Sequence, residues 1–491
     1  MQILISDKTL SNWSGNTLGV GIFKKGSDKV RKELHKRFSN NIKENSLILK
    51  FSARRGEILS LGCFESTPQK LILIGLGESS TFNIQSLRNA ASAIAMKGNG
   101  DKLGVYFPIE GLDLTSAITA IGEALRLSLY RDHRFRSTAQ YINFSEGIDI
   151  IGTSHSLSAN LTKIWSTCSG VELSRQLVAA PAKIITPQAL ADTATNIARD
   201  FNLDIKILER EECQALGMGS YLAVGQGSSL PPKFIHITYT PKGLINRRVA
   251  IVGKGVTFDS GGYNLKVGAS KIEMMKYDMG GSAAILGTAR SIAELQPVGV
   301  EVHMIIAACE NMISGSAIHP GDIVVASNGK TIEITNTDAE GRLTLADALV
   351  YACHLKPDSI VDIATLTGAS VIALGEEIAG LWSTSDHLAA ELVQAGEQGG
   401  ELLWRMPLHY PYRKGMRSLM ADMKNTASRA GSSITAALFL KEFISPGIEW
   451  AHIDMAGTVW SEKGRNQDPP GATGFGVRTL VNWICSSNQA D

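Results

Sequence analysis

The run Asn336-Thr337-Asp338-Ala339-Glu340-Gly341-Arg342-Leu343 sets two carboxylates two residues apart and an arginine two residues further on. Asp338 and Glu340 are hard oxygen donors suited to divalent cations. Arg342 is a permanent cation whose planar fork matches an anion. The run follows a strand-like stretch, Thr331 to Thr335, and precedes a helical one. That places it at the carboxyl end of a strand, where α/β proteins bind ligands. The same residues also fit a plain helix start. Thr337 and Glu340 stand at the N-cap and N3 spacing of a capping box. Leu343, Leu345, Ala346, Leu349, Val350 and Cys353 recur at helical spacing through Arg342 to Leu355. The run alone admits a metal site, a helix cap, or both with Thr337 capping.

A second constellation follows the strand-like Val249 to Val252. It reads Gly253-Lys254-Gly255-Val256-Thr257-Phe258-Asp259-Ser260-Gly261-Gly262, then Lys266, then Lys276-Tyr277-Asp278-Met279-Gly280-Gly281 at the mouth of another helix. The glycines permit close backbone approach. Asp259 and Asp278 bring the carboxylates in glycine-rich loops to four. That number suits two cations sharing a bridging ligand, roughly 3.5–4 Å apart, a recurring hydrolytic device.

Each piece has a plainer reading. Asp259-Ser260-Gly261 fits a turn, Asp278 fits an N-cap for the helix from Ser282, and both lysines fit a solvated surface. Asp259-Ser260-Gly261-Gly262 also resembles the loop around a serine-hydrolase nucleophile. Of the ten histidines, only His236, His303 and His452 lie in strand-like surroundings. Nothing pairs any of them with Ser260, which disfavours that chemistry. No HExxH or close histidine pair supports a histidine-based zinc site.

The elements that must position these residues alternate. Ile3 to Ile5, Leu47 to Phe51, Leu71 to Ile74 and Gly104 to Phe107 read as strands; Ile84 to Met96 and Thr115 to Tyr130 read as helices. This is an α/β pattern. Gly75-Leu76-Gly77 lacks the third glycine of a dinucleotide loop and reads as a turn. The polar stretch Ser137 to Ser158 marks a boundary, and a helical connector follows from Lys163 to Ala179. Thr186-Pro187 then opens a second part as N-cap and N1. Its strands are Asp204 to Ile207, Phe234 to Tyr239, Val249 to Val252, Glu301 to Ala307, Ile360 to Ile363 and Glu449 to Ile453. Its helices include Ser282 to Leu295, Arg342 to Leu355 and Ser432 to Phe443.

The whole chain agrees with this outline. Its 491 residues, 44% hydrophobic and 19% charged, describe a globular protein with a substantial core and length for more than one domain. The net charge of +1 gives no global pull toward nucleic acid or acidic membranes. The first 160 residues hold 20 Lys and Arg against 14 Asp and Glu, the remainder 28 against 33. The six cysteines form no CxxC pair and read as reduced, mostly buried thiols of a cytoplasmic protein. Met1 to Trp13 shows no secretory signal, and no apolar stretch reaches membrane-span length.

Taken together, the motifs resemble the leucyl (cytosol) aminopeptidases, a family of dinuclear metallopeptidases. The run from Asn336 to Leu343 matches that family's signature, and Val252 to Gly255 with Phe258 to Gly262 matches its second motif. Asp278 to Gly281, Thr365-Leu366-Thr367-Gly368-Ala369, Trp450-Ala451-His452-Ile453-Asp454 and Gly471-Ala472-Thr473-Gly474-Phe475 follow in the family's order. The resemblance is strong over residues 170–491 and weak over 1–160. It implies an α/β chain with a smaller N-terminal α/β domain (1–160), a helical connector (161–185) and a larger catalytic α/β domain (186–491) with a central mixed sheet flanked by helices.

The resemblance also implies roles. Lys254, Asp259, Asp278 and Glu340 would hold a tightly bound metal. Asp259, Asp338 and Glu340 would hold an exchangeable one, Asp338 through side chain and carbonyl. Mn2+ or Zn2+ is expected, with Mg2+ or Co2+ as alternatives. Lys254, with a reference pKa of about 10.4, would bind only as the neutral amine. Lys266 would stay charged and stabilise the gem-diolate oxygen. Arg342 would hold a bicarbonate that relays the proton. Met275, Thr365, Leu366, Gly368 and Ala456 would line a pocket for a leucine-like side chain. The implied reaction releases the N-terminal residue of a peptide, and the implied assembly is a homohexamer of two trimers.

Lys266 to Asp278 is one residue longer than the common family spacing, with the extra residue in Val267 to Lys271, a loop. Two other readings remain. Nucleic-acid binding, a second role in this family, is suggested by Arg31, Lys32, Lys36, Arg37, Arg54 and Arg55, against the commoner reading of solvated charge. The same centre acting on a phosphoester is the other.

Overall fold

The computed structural model describes residues 2–42, 45–63, 65–109, 111–138, 144–153, 157, 159–465 and 467–486. The chain divides into two compact units, Met1–Cys168 with Glu462–Pro470, and Ser169–Ser461 with Gly471–Asp491. Each is α/β.

The first unit is built on six strands: β1 (Ile3–Ser6), β2 (Thr17–Phe23), β3 (Ile58–Gly62), β4 (Lys70–Gly77), β5 (Lys102–Tyr106) and β6 (Gly147–Ile151). Their order is β1-β6-β5-β2-β4-β3, parallel except for β3 against β4. Helices Ile84–Lys97 and Leu114–Leu129 form as their apolar spacing predicts, each capped by an acceptor side chain, Asn83 to Ser86 N and Asp113 to Ser116 N.

Several expectations for this unit do not hold. Leu47 to Phe51 is not a strand but part of a one-turn helix, Ser46–Lys50, with Ile48 buried and Leu49 exposed. A short apolar run carries no period that separates the two. Gly75-Leu76-Gly77 is not a turn but the end of β4, where Gly75 exchanges main-chain bonds with Glu57 and Gly56. The stretch Ser137 to Ser158 contains β6, fully buried between β1 and β5, rather than marking only a boundary. Residues 139–143, 154–156 and 158 of it lie outside the described residues.

The second unit carries β7 (Asp204–Leu208), β8 (Lys233–Tyr239), β9 (Arg247–Asp259), β10 (Val300–Asn311), β11 (Ile323–Val325), β12 (Thr331–Glu333), β13 (Ser359–Ala364), β14 (Ile378–Ser383), β15 (Leu402–Arg405), β16 (Met423–Lys424) and β17 (Glu449–Asp454). Eight of them form a mixed sheet in the order β15-β14-β17-β13-β9-β10-β8-β7. Its centre, β17-β13-β9-β10, is parallel. Parallel strands are covered on both faces, and the residues from Val249 to Val256 are all buried. The helix Gly280–Leu295 has 13 buried residues and the helix Gly341–His354 has 12, so both are core elements rather than amphipathic surface helices. Helix Pro187–Phe201 starts as its sequence predicts, with Thr186 Oγ1 accepting from Ala189 N at 3.2 Å and Pro187 in the first turn.

The parallel centre points the carboxyl ends of β9, β10, β13 and β17 the same way. Asp259, Asn311, Asp454 and the segment after Ala364 therefore arrive at one edge of the sheet.

Candidate metal centre

Strand β9 is longer than its apolar core suggests and runs through the glycine-rich motif to end at Asp259. Lys254 is therefore a strand residue, 3% exposed, whose Nζ lies 2.8 Å from Asp278 Oδ2 and 2.8 Å from Glu340 Oε1. The same Nζ donates to Thr365 O at 2.9 Å. Lys266 Nζ lies 2.9 Å from Asp259 Oδ2 and 2.7 Å from Asp338 Oδ1. Asp259, Asp278 and Glu340 each offer an oxygen within 4.8 Å of the others, and all three are buried. Asp338 stands outside this tight group and joins it through Lys266.

Neither helix start behaves as a cap. The N-cap of Gly280–Leu295 is Met279, so Asp278 is free of that duty. The N-cap of Gly341–His354 is Glu340 itself, without a side-chain cap bond. Thr337 is not a cap either: its Oγ1 donates to Gly261 O at 2.6 Å and accepts from Asn264 N at 2.9 Å, tying the two carboxylate loops together. The capping-box reading fails because the helix begins later than the pattern implies, and Glu340 turns toward Lys254.

Four carboxylates thus face two ammonium groups in a buried space. The electrostatics carry the mark of that deficit. Burial and the neighbouring carboxylates raise Asp259 and Asp278 above the usual carboxylate range, against the pull of Lys254 and Lys266. Burial and Glu340 raise Asp338. Burial would depress the Lys254 ammonium, but Asp278, Glu340 and Asp259 overcome it and hold it above its ordinary value. Glu340 Oε2 is buried with no hydrogen-bond partner, and a buried carboxylate oxygen left open is costly. Hard oxygen donors, missing positive charge and an open oxygen together fit divalent cations.

Arg342 is buried, as a surface charge would not be. One of its terminal nitrogens donates to Asn425 O at 2.8 Å, while Nε has no partner. Burial pulls this guanidinium down to about 10, opposed by Glu340 and Asp454. An unused donor on a buried cation fits a small anion.

The expected pocket residues fall around the exits of β13 and β17. Thr365 Oγ1 donates to Asp278 Oδ1 at 2.8 Å. Leu366 N and Ala456 N both donate to Asp454 Oδ1, each at 3.2 Å. Gly368 begins the helix Gly368–Leu374 and faces open space. Met275 is buried in the short helix Ile272–Tyr277, and its carbonyl accepts from Asp278 N. The longer segment after Lys266 is not a plain loop: Gly268–Ser270 forms a 3-10 turn and Lys271 takes a left-handed φ of 45°.

Residues that motif reading did not single out complete the frame. Asn311 Nδ2 donates to Asp259 Oδ1 at 2.8 Å and to Thr337 O at 3.2 Å. Asn425 accepts from Thr335 N and donates to Asn336 O, holding the loop that carries Asp338. Their only advance signal is position, since Asn311 ends a strand beside β9. Ser260 bonds Asn311 O and Gly262 N. The strand histidines are engaged elsewhere, His236 with His303 and His452 with Asp362, so no serine triad assembles among the described residues. Three of the six basic residues singled out in the first unit bond to the protein's own main chain. Arg31 donates to Phe23, Ile48 and Phe51 carbonyls, Arg37 to those of Leu10, Trp13 and Thr67, and Arg55 to Thr81.

All six cysteines are free and five are buried. Among the described residues no helix is long and apolar enough to cross a membrane.

Known proteins resemble this chain in sequence and fold. Models of the cytosol aminopeptidase family match residues 172–481 (catalytic domain) and 20–139 (N-terminal domain). A probable cytosol aminopeptidase of Prochlorococcus marinus (strain MIT 9313) is 56% identical over 99% of this chain and 100% of its own length. One from Synechococcus sp. (strain CC9605) is 54% identical over 99% and 100%. Among solved structures, a mutant of tomato leucine aminopeptidase is 40% identical with a TM-score of 0.90, covering 99% of this chain and 96% of that one. The bottromycin maturation enzyme BotP in complex with Mn is 32% identical with a TM-score of 0.86, covering 96% and 100%. The chain belongs to the cytosol aminopeptidase family and is a metal-dependent aminopeptidase, a hydrolase of peptides.

Proposed function

We propose that this aminopeptidase releases N-terminal residues, leucine preferred, at a centre of two divalent cations. The observation that supports this reading is the charge deficit: among the described residues, the four carboxylates Asp259, Asp278, Asp338 and Glu340 are ion-paired with two ammonium groups, Lys254 and Lys266. Lys254, Asp259, Asp278 and Glu340 would hold one cation; Asp259, Asp338 and Glu340 would hold the other. Manganese or zinc is the proposed occupant, with magnesium or cobalt as alternatives, in keeping with the manganese complex of the similar maturation enzyme. When bound, such a pair polarises the scissile carbonyl and lowers the pKa of the attacking water.

The chain's own groups do the rest. Lys254 must give up its proton to become a donor, so cation uptake releases a proton and weakens in acid. Lys266, held charged against burial by Asp259 and Glu340, stays an ammonium and offers its charge to the oxyanion that develops on the attacked carbonyl. Arg342, through its unpartnered Nε, would hold a bicarbonate, which would supply a proton acceptor beside the attacking water. Met275, Thr365, Leu366, Gly368 and Ala456 receive the first side chain, small or apolar surfaces suited to leucine. We further propose a cytoplasmic location, in keeping with the cytosol aminopeptidase relatives and the free cysteines, and a homohexameric assembly.

The test is hydrolysis of leucine p-nitroanilide and of leucyl dipeptides with Mn2+, with and without bicarbonate, beside an arylphosphate as control substrate. Leucyl hydrolysis should need the cation and fall by several orders of magnitude in Asp259→Ala. Activity that survives both Asp259→Ala and exhaustive chelation refutes the reading.

A further inference from the structure

Strands β13 and β17 run parallel and end together, with Ala364 opposite Asp454 in the last register pair. One more main-chain bond, Met455 N to Ala364 O at 2.8 Å, closes the ladder. Beyond it the two chains part. One continues through Thr365, Leu366 and Thr367 to Gly368, the other through Met455 to Ala456. The ladder can no longer hold them together, and their amide groups need other acceptors.

A single carboxylate serves both. Asp454 is 1% exposed. Its Oδ1 accepts from Leu366 N on one branch and from Ala456 N on the other, each at 3.2 Å. Its Oδ2 accepts from Thr367 Oγ1 at 2.7 Å. That hydroxyl in turn accepts from Ser370 N at 3.1 Å, capping the helix that Gly368 opens. Three of the five residues expected around the substrate side chain are thereby set by one group. The far side of the same segment is tied to the metal centre, since Thr365 O accepts from Lys254 Nζ and Thr365 Oγ1 donates to Asp278 Oδ1.

We propose that Asp454 is a positioning residue that fixes the width of the side-chain pocket, and so the preference for the first residue of the peptide. The inference rests on the pocket assignment made above. A carboxylate accepts at both oxygens, whereas an amide of the same shape presents a donor at one of them. Asp454→Asn must therefore either face a donor toward the Leu366 and Ala456 amides or toward the Thr367 hydroxyl. The first choice opens the fork; the second turns the Thr367 hydroxyl from donor to acceptor while it still accepts from Ser370 N, which re-aims the Gly368 helix start. Either moves a pocket wall without touching a metal donor. Asp454 also supports the charge of buried Arg342, together with Glu340.

The experiment compares wild type, Asp454→Asn and Thr367→Val, each loaded with Mn2+, on leucyl, methionyl, alanyl and phenylalanyl p-nitroanilides. Bound metal and melting temperature are measured in parallel. A change of pocket width by about one methylene is worth on the order of tenfold in discrimination. The expected result is a change of about tenfold or more in the leucine-to-alanine ratio of kcat/KM, carried mainly by KM, at unchanged metal content. Thr367→Val removes one of the three bonds and should move the ratio in the same sense by less. It also keeps the test open should Asp454→Asn fail to fold. Ala456→Leu, which narrows the same wall directly, is the control for the pocket itself. If it leaves the ratio unchanged, the pocket lies elsewhere and the inference falls with it. If Ala456→Leu shifts the ratio while the folded Asp454 and Thr367 variants lose activity equally on all four substrates, or lose none, Asp454 is only a structural residue.

Discussion

Gly341 lies so close to the Lys254 side chain that an ideal Cβ there would stand 2.4 Å from Cε and 2.6 Å from Nζ. The helix start that carries Glu340 and the strand that carries Lys254 can meet only because residue 341 has no side chain. Gly341→Ala should therefore push Lys254 out of its place between Asp278 and Glu340. Overpacking of this kind costs about 1–3 kcal/mol of stability. The larger effect should be on metal: at least a tenfold weaker retention of the tightly held cation, read by equilibrium dialysis, with kcat falling in step.

Removing the cations should cost stability as well as activity. A ligand present at 100 times its dissociation constant stabilises the folded state by about 2.7 kcal/mol. The proposed pair of ions should give a melting temperature several degrees higher in the Mn2+ form than after chelation. Readdition should restore both melting temperature and leucyl hydrolysis. A chelated protein that melts where the loaded one does would show that the carboxylates hold no cation.

His236 is buried in the pair His236 Nε2–His303 Nδ1 at 3.0 Å, with Tyr351 OH 3.1 Å from its other nitrogen. Burial, with smaller contributions from His303 and Lys206, lowers it to about 4 from a usual 6.5. Between those values the unfolded chain binds the proton and the folded chain does not. Its stabilising contribution is thus complete above pH 6.5 and is lost as pH falls toward 4, on the order of 3 kcal/mol in all. Urea midpoints of wild type and His236→Gln measured across that range should converge in acid. Parallel curves would contradict this assignment.

Asp362 and His452 form a closed pair, 0% and 1% exposed at the side chain, at 2.5 Å, and Trp450 Nε1 donates to the second Asp362 oxygen at 2.7 Å. Burial alone would lower His452, but Asp362 outweighs it and raises its pKa. Asp362→Asn leaves that imidazole without its counter-charge, which should cost about 3–5 kcal/mol. Chemical denaturation checks the loss; metal content of the surviving folded fraction should be unchanged.

Much of the site was legible in the residues themselves. Carboxylates, lysines and glycines keep fixed offsets in Lys254 to Gly262, Asp278 to Gly281 and Asn336 to Leu343, and those offsets are chemistry that a linear string records. Fully apolar runs such as Val249 to Val252 and the long helices were equally plain, because burial on all sides leaves an unbroken pattern. Strand β2 was not: Gly19 and Gly21 interrupt its pattern, and only packing explains them, since a Cβ at Gly19 would fall 2.3 Å from Ile94 Cγ2.

What the chain could not state alone is which polar groups share a space. Asn311, Asn425, Thr337 and Asp454 are 26 to 89 residues from partners they hold, and no local spacing encodes such pairs. Nor could it decide between cap and ligand for Glu340, because both readings use the same residue types. The residues by themselves determined the donor set and the family it resembles. The parallel register of β9, β10, β13 and β17 decided that these donors converge, because only strands running the same way deliver their loops to one edge.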